Sequence, residues 1–308
     1  MKKILITGGC GFIGTNLIEN LSDKDGYEIL NLDIAHPKIE CQYKCWNEMD
    51  ICEKQSLINA IRKFSPDYVI HLAARTDLNG KTIDDYDANV RGVSNLLDAL
   101  ELVPNLKRVV FTSSMYVCEP GYIPKDFDDY APHTLYGESK VETEKRIKER
   151  NPHYVWSIIR PTSIWGPWFG EPYNKFFRIV LNHMYFHMRK RARKKTYGYV
   201  DNAICQILSI LNADEERVNK KVFYIGDYEP YDITEWANEI AKEEGIRIPR
   251  IPFGCFVCAG WLGDILKKLG ITFPMTSFRL HNMTTDNVLD LTPVQTIAPN
   301  LPVSRKEG

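Results

Sequence analysis

The chain has 308 residues, 44% hydrophobic and 26% charged, which is long enough to bury a sizeable core as one large domain or two smaller ones. Thirty-nine Lys and Arg stand against 40 Asp and Glu, so net charge offers no reason to expect nucleic acid or a membrane surface as a partner. No apolar run reaches the ~20 residues of a membrane span, and the opening "MKKILITGG" breaks at Gly8-Gly9, short of the ~7–15 residues of a signal-peptide core.

Residues 3–7 (KILIT) therefore read as a first strand of a cytoplasmic protein. Residues 12–22 have helical spacing, with Ile13, Leu17, Ile18 and Leu21 on one face. Strand 28–33 follows, then a helix over 57–64 stopped by Ser65-Pro66, and strand 68–74. A helix over 86–102 stops before Pro104; strand 107–113, a charged amphipathic helix over 134–150 and strand 154–160 come next. Strands alternating with helices imply an α/β protein with a parallel sheet covered on both faces, and ligands of such sheets lie outside the carboxyl ends of the strands.

After Pro161 the rhythm breaks. Residues 166–170 (GPWFG) read as a loop, 173–188 as an aromatic-rich helical stretch, and 189–195 (RKRARKK) as a basic run. Residues 197–200, 203–211 and 222–225 read as a return to the sheet. Residues 234–244 read as a helix with an Asp232…Glu235 capping pair. Ser304 and Glu307 form a capping box just before the last residue, the start of a helix in a chain that reads as a truncated form.

The eight cysteines, without a secretion signal, read as reduced thiols. Cys255-x-x-Cys258 is the one metal-like or redox-like spacing. No second Cys or His pair matches it, so these two read as packing residues and no metal is expected.

Gly8-Gly9-Cys10-Gly11-Phe12-Ile13-Gly14 joins the first strand to the first helix, and the second strand ends on an acid, Asp33, 19 residues after Gly14. That is the context of a dinucleotide fingerprint: glycines for a tight turn and close backbone approach, a helix N-terminus for the pyrophosphate, a carboxylate for the ribose hydroxyls. Asp33 repels a 2′-phosphate, and Ile34-Ala35 supply no Arg to hold one, so NAD is favoured over NADP. Tyr136 and Lys140 stand four apart on one helix face. A tyrosine hydroxyl is too weak an acid to act as base unaided at neutral pH, and a nearby ammonium favours the phenolate. Such a Tyr takes the proton of a sugar or alcohol hydroxyl beside a hydride-accepting nicotinamide, while the Lys also holds the cofactor ribose.

TGGCGFIG (7–14), Asp33, Asp50-Ile51, HLAA (71–74), Asn89-Val90-x-Gly92, TSS (112–114), YGESK (136–140), RPTSIWGP (160–167) and YVDNA (199–203) together resemble the extended short-chain dehydrogenase/reductase family, the NAD-dependent epimerase/dehydratase group that acts on nucleotide sugars. The resemblance covers nearly the whole chain. It implies a Rossmann-type doubly wound parallel sheet with a smaller, mixed α/β C-terminal substrate lobe. The NAD-binding domain would comprise 1–165 plus about 197–226, and the lobe 166–196 plus 227–308.

It further implies that Gly8, Gly11, Phe12, Ile13 and Gly14 hold the cofactor phosphates and that Asp50 and Ile51 contact the adenine. Leu72, Ala73 and Ala74 would line the cleft, Asn89 support the loops beside it, and Pro161 pass near the nicotinamide. Ser114 would hydrogen-bond the reacting hydroxyl. Ser163 stands where the family usually has Asn, and Val117-Cys118-Glu119 replaces Val-Tyr-Gly. The family's frequent diphosphate-binding Arg is matched by Lys195, with Arg193, Tyr173 and Asn174 as weaker substrate contacts. A homodimer through a four-helix interface, from residues 86–102 and 134–150 of each copy, is also implied.

Within the family, dehydratases resemble one another in an Asp-Glu pair after the serine or threonine, and decarboxylating members carry a Glu before the valine. Here Met115 and Tyr116 occupy those positions. Met transfers no proton, and Tyr116, which also stands at the decarboxylase position, has no visible activator in the sequence, so dehydration and decarboxylation are set aside. The expectation is a nucleotide-sugar epimerase, at C4, in sugar or polysaccharide precursor synthesis. A 4-keto-sugar reductase or dehydrogenase is the alternative, and a catalytically silent NAD-binding regulator a more distant one.

Overall fold

The computed structural model describes residues 1–171, 174–188, 193–271 and 273–308. Seven strands form one parallel sheet: β1 (Lys2–Thr7), β2 (Tyr27–Asp33), β3 (Trp46–Glu48), β4 (Tyr68–His71), β5 (Arg108–Thr112), β6 (Val155–Pro161) and β7 (Lys221–Ile225). Their spatial order is β7-β6-β5-β4-β1-β2-β3. The order reverses between β1 and β4, and the crevice beyond their carboxyl ends is the switch point at which open α/β sheets bind ligands.

The two-residue period of the strands feeds two cores. Ile4, Ile6, Ile70, Val110 and Ile159 face one layer, where Leu17, Ile18 and Leu21 of helix Phe12–Ser22 and Ile204, Ile207 and Leu211 of helix Val200–Asn212 meet them. Leu5, Val69, Val109, Phe111 and Ile158 face the other, against helices Lys54–Phe64, Val93–Leu100 and Leu135–Arg150. This is the doubly wound arrangement the alternation predicts.

Three local readings differ. Of the segments expected to return to the sheet, 222–225 joins it, 197–199 pairs instead with Ser163–Trp165, and 203–211 lies inside helix Val200–Asn212. A buried apolar run looks alike as strand or helix; here Ala203, Ile207 and Ile210 recur at helical spacing, and buried Gln206 disguises the pattern by exchanging hydrogen bonds with the Gly226 backbone. The stretch predicted as helical over 173–188 is a helix only from Lys175 to Leu181; His187–Met188 is a strand paired with Arg250–Ile251. Cys255 and Cys258, expected as packing residues, are both exposed; all eight cysteines are free thiols.

The chain's last residues fold back on the sheet layer. Leu291 and Val294 enter the core beside β7, and Asn202 exchanges hydrogen bonds with the Val303 backbone at 2.7 and 3.0 Å. Buried Asp227 ties the same region, accepting from the Tyr199 amide, the Asn202 side chain (2.8 Å) and the Tyr231 hydroxyl. Among the described residues no helix is long and apolar enough to cross a membrane.

Candidate active site

A cavity of about 1050 Å³ opens along the carboxyl ends of β1, β2, β4, β5 and β6. Its floor at one end is the turn after β1. Gly8 adopts φ +77°, and a Cβ there would lie 2.5 Å from the Ala73 amide nitrogen, so only glycine lets this turn pass the end of β4. A Cβ on Gly14 would meet the Gly8 carbonyl and Gly9 Cα at 2.5 Å; the first helix can pack on the turn only without one. The helix begins at Gly11 with no side-chain cap. The helix dipole favours an anion at this N-terminus.

Two buried amides, overlooked in the sequence, brace this loop. Asn31 accepts from the Gly9 amide at 3.0 Å, and Gln42 donates to the Gly9 carbonyl at 2.7 Å. At the end of β2, Asp33 accepts from the Cys10 and Ala35 amides at 2.8 and 2.9 Å and presents its carboxylate to the cavity wall. Asp50, Ile51, Leu72, Ala73 and Ala74 continue that wall. A glycine cradle, an uncapped helix start and a carboxylate at the second strand form a donor set that fits a dinucleotide without a 2′-phosphate.

Asn89 is brought near but stands behind the wall. Its side chain exchanges hydrogen bonds with both backbone groups of Arg75 (2.8 and 3.0 Å) and donates to Ser139 Oγ at 2.9 Å. It locks the loop after β4 to the helix that carries Tyr136 and Lys140.

That helix, Leu135–Arg150, starts at Thr134, whose hydroxyl accepts from the Gly137 amide. Gly137 has no room for a side chain, since its Cβ would lie 2.3 Å from the Tyr116 carbonyl. The close approach brings Tyr136 and Lys140 to the segment that follows β5, and Ser114, Met115, Tyr136 and Lys140 share the cavity wall. Ser114 is extended and accepts from the Tyr116 amide at 3.1 Å, capping a single 3₁₀ turn over Met115–Val117.

Lys140 is fully buried. Its ammonium donates to the Thr112 carbonyl at 2.9 Å, and burial pushes it down to about 8, with Glu144 working the other way. His71, on the neighbouring strand end, is pushed down to about 3 by burial and then by the Lys140 charge; its Nδ1 lies 2.6 Å from Thr7 Oγ1. The imidazole near the lysine is therefore neutral.

One helical turn below Lys140, Glu144 and Arg160 form a fully buried pair. Arg160 donates to both Glu144 oxygens at 2.8 Å, to the Tyr224 hydroxyl at 3.2 Å and to the Phe127 carbonyl at 2.6 Å. The pair welds the helix that carries Tyr136 and Lys140 to β6 just before Pro161, itself on the cavity wall. The same strand that positions Arg160 therefore also sets the wall beside Pro161.

Beyond Pro161 the wall runs through Thr162, Ser163, Ile164 and Trp165 to Phe176, Phe177, Tyr197 and Trp236. The Trp165 and Trp236 rings are 5.3 Å apart, and Phe177 lies edge-on to Trp236 at 5.2 Å. The aromatic residues were visible in the sequence, but residues so far apart in the chain carry no spacing signal. The other expected substrate residues, Lys195, Arg193 and Asn174, have these surroundings. Lys195 donates to the Asn282 carbonyl at 2.6 Å, and Arg193 accepts through its carbonyl from the Ile233 amide. Asn174 precedes helix Lys175–Leu181; none of the three is on the cavity wall. Tyr173 lies outside the described residues.

The profile of the NAD dependent epimerase/dehydratase family matches residues 4–226. A 3 beta-hydroxysteroid dehydrogenase/Delta 5-->4-isomerase of Mycobacterium tuberculosis is 29% identical, covering 85% of this chain and 75% of its own. A UDP-glucose 4-epimerase of Vibrio cholerae is 26% identical, covering 87% of this chain and 85% of its own. Among solved structures, a Thermus thermophilus UDP-glucose 4-epimerase in complex with NAD superposes with a TM-score of 0.72 at 21% identity, covering 99% of this chain and 96% of its own. The family match spans the phosphate loop, the Ser114 segment and the Tyr136–Lys140 helix alike. The chain belongs to the NAD-dependent epimerase/dehydratase family, and NAD is its cofactor.

Proposed function

We propose that the protein is a nucleotide-sugar epimerase, acting at C4 through a transient keto-sugar. The observation that carries this reading is the meeting of Ser114, Tyr136 and Lys140 in one cavity with the glycine cradle and Asp33. Ser114 and Tyr136 would hold the reacting hydroxyl, and Tyr136 would take its proton. Lys140, held by Thr112, would keep a positive charge beside the phenol and on the cofactor ribose. NAD, when bound, accepts the hydride from the carbon that bears the hydroxyl. Met115, on the wall next to Ser114, supplies no acid or base for expelling water, which favours return of the hydride to the other sugar face. The relatives named UDP-glucose 4-epimerase agree with this choice. A homodimer through helices Val93–Leu100 and Leu135–Arg150 belongs to the same proposal.

A second reading, a dehydrogenase or reductase of an apolar hydroxyl compound, is favoured by one specific observation. From Thr162 to Trp236 the described wall carries aromatic and aliphatic groups and no charged side chain to meet a diphosphate. The M. tuberculosis relative is named for a steroid substrate. A silent regulator would have no use for the assembled Ser114, Tyr136 and Lys140.

The test is to denature the purified protein, assay for released nucleotide, and offer the native protein nucleotide hexoses without added cofactor. Co-purified NAD and interconversion of epimers support the first reading. Stoichiometric consumption of added NADH with a keto substrate, or oxidation of a sterol with added NAD, moves the assignment to the second.

A further inference from the structure

The far wall of the cavity is held from behind by a chain of three polar side chains. Asp227, just after β7, is buried. Two glycines let it come so close: a Cβ on Gly198 would lie 2.7 Å from the Gly226 Cα, and the Asp227 amide donates to the Tyr197 carbonyl at 2.7 Å. The Asp227 carboxylate accepts from the Tyr199 amide on both oxygens at 3.2 Å, from the Asn202 side chain at 2.8 Å and from the Tyr231 hydroxyl. The Tyr231 hydroxyl in turn accepts from the Trp165 indole N–H at 3.3 Å. Tyr231 is clamped as well: the Arg305 guanidinium lies over its ring at 5.3 Å and pairs with Glu239 at 2.7 Å. Of the three, only Trp165 is on the cavity wall.

A carboxylate only accepts, and an indole N–H only donates. The tyrosine between them has one proton, which it gives to Asp227, and it turns a lone pair to Trp165. The direction of every bond in the chain is thereby fixed. An apolar side chain would fill the site of Asp227 without the cost of burying a carboxylate, whereas a carboxylate makes the stronger, directed hydrogen bond. The one polar atom of Trp165 is thus held at the back of the wall, and the indole shows carbon to the cavity. Trp236 at 5.3 Å and Phe177 at 5.6 Å pack on the same indole and share that wall, so the angle of Trp165 sets the shape of this end of the cavity.

We propose that Trp165 is a specificity-determining residue and that Asp227 is a positioning residue that acts on it through Tyr231. Together they hold an apolar platform for the carbon framework of a saturated ring whose secondary hydroxyl lies at Ser114 and Tyr136. Pockets of this kind bind through apolar walls and orient through a few polar groups; here the orienting groups are Ser114 and Tyr136, and the platform selects an uncharged ring. The inference rests on the reading that a ring-borne hydroxyl is oxidised in this cavity, and it holds for the sugar and the apolar substrate alike.

The experiment follows the indole N–H signals by NMR in the NAD-loaded protein labelled at its tryptophan indole nitrogens. The Trp165 signal is identified by its absence from Trp165→Phe. That of Trp156, buried in a separate core cluster, and that of Trp236 are identified in the same way. Tyr231→Phe and Asp227→Asn, which sets a donor against a donor, are each expected to speed solvent exchange of the Trp165 N–H by roughly 10-fold or more, with Trp156 exchange and NAD content unchanged. Cyclohexanol is the probe of the platform, since it carries a ring hydroxyl but neither sugar nor nucleotide. Its binding, read from the Trp236 signal, is expected to weaken by about threefold or more in Asp227→Asn and in Trp165→Phe, and no further when the two are combined. Unchanged Trp165 exchange in either variant overturns the proposal, and so does exchange that rises equally at Trp165 and Trp156, the mark of a merely structural role. Absence of a cyclohexanol shift in wild type, equal affinity in Asp227→Asn, or additive losses in the double variant overturn it too. Failure of nucleotide hexoses to interconvert would leave every one of these readouts in place, so the two claims fail separately.

Discussion

Lys140 Nζ donates to the Thr112 carbonyl across 2.9 Å, one residue before the Ser113-Ser114 pair, from a position with no solvent contact. The hydrogen bond joins helix Leu135–Arg150 to the end of β5 at the cost of burying a charge. Replacing Lys140 by Met removes an ammonium whose ordinary value of 10.5 falls to about 8 by burial. The variant is expected to gain about 1–2 kcal/mol in cofactor-free stability, the relief of charge burial less the orphaned carbonyl, while turnover falls by roughly 10²-fold or more. Denaturant unfolding and steady-state rates on the same preparation check both signs.

The same residue gives a pH signature. Below pH 8 folded and unfolded chains both hold the Lys140 proton, and the cost of the buried ammonium is fully present. Between about 8 and 10.5 the unfolded chain binds more protons, so this group's contribution to stability rises with pH. The stability advantage of Lys140→Met over wild type is expected to shrink and then reverse across that window. A difference that stays constant would refute the assignment of the depressed lysine.

His71 acts at the acid end. It is neutral in the fold and pushed from 6.5 to about 3, so the unfolded chain binds the extra proton between those values and stability falls as pH drops through 6.5. His71→Gln is expected to flatten that fall by up to about 1.4 kcal/mol per pH unit, read from urea midpoints at a series of pH values.

Glu144 and Arg160 test the weld beneath the site. Glu144→Leu leaves the Arg160 guanidinium buried without its carboxylate and is expected to cost roughly 3–5 kcal/mol. Adding Arg160→Met is expected to recover most of it, because the pair is then replaced by apolar volume. A double variant as unstable as the single one would show that the pair itself, rather than its breakage, is what holds the helix to β6.

Gly8→Ala forces a Cβ to 2.5 Å from the Ala73 amide at φ +77°, whereas Gly26→Ala, at φ +99°, meets nothing within 4 Å. Both are expected to lose about 1 kcal/mol or more of stability through backbone strain. Only Gly8→Ala is expected to abolish retention of NAD, measured as nucleotide released per chain.

Much of this was legible from residues alone, and the reasons are physical. The glycine pattern, Asp33 and the Tyr136–Lys140 spacing report backbone and helix-face constraints that local sequence carries directly. The strand-by-strand alternation gave the sheet for the same reason. Residues 203–211 were misread because a run buried on several sides loses its polar stripe, and Gln206 is satisfied by a backbone 20 residues away. The roles of Asn31, Gln42 and Glu144 are invisible locally, since each partner comes from a distant segment. Lys195, expected at a substrate diphosphate, donates to the Asn282 carbonyl, a partner that only the folded chain brings beside it.

The central claim, that Tyr136 opens the reaction by taking a hydroxyl proton beside bound NAD, is tested most directly by rapid mixing. Nucleotide hexose is mixed with an excess of the protein as purified, and nicotinamide absorbance is followed over a single turnover. Wild type is predicted to show transient cofactor reduction that decays as the epimer forms, and Tyr136→Phe to slow the reduction by roughly 10²–10⁴-fold with NAD content unchanged. Reduction at equal rates in both proteins would contradict the account.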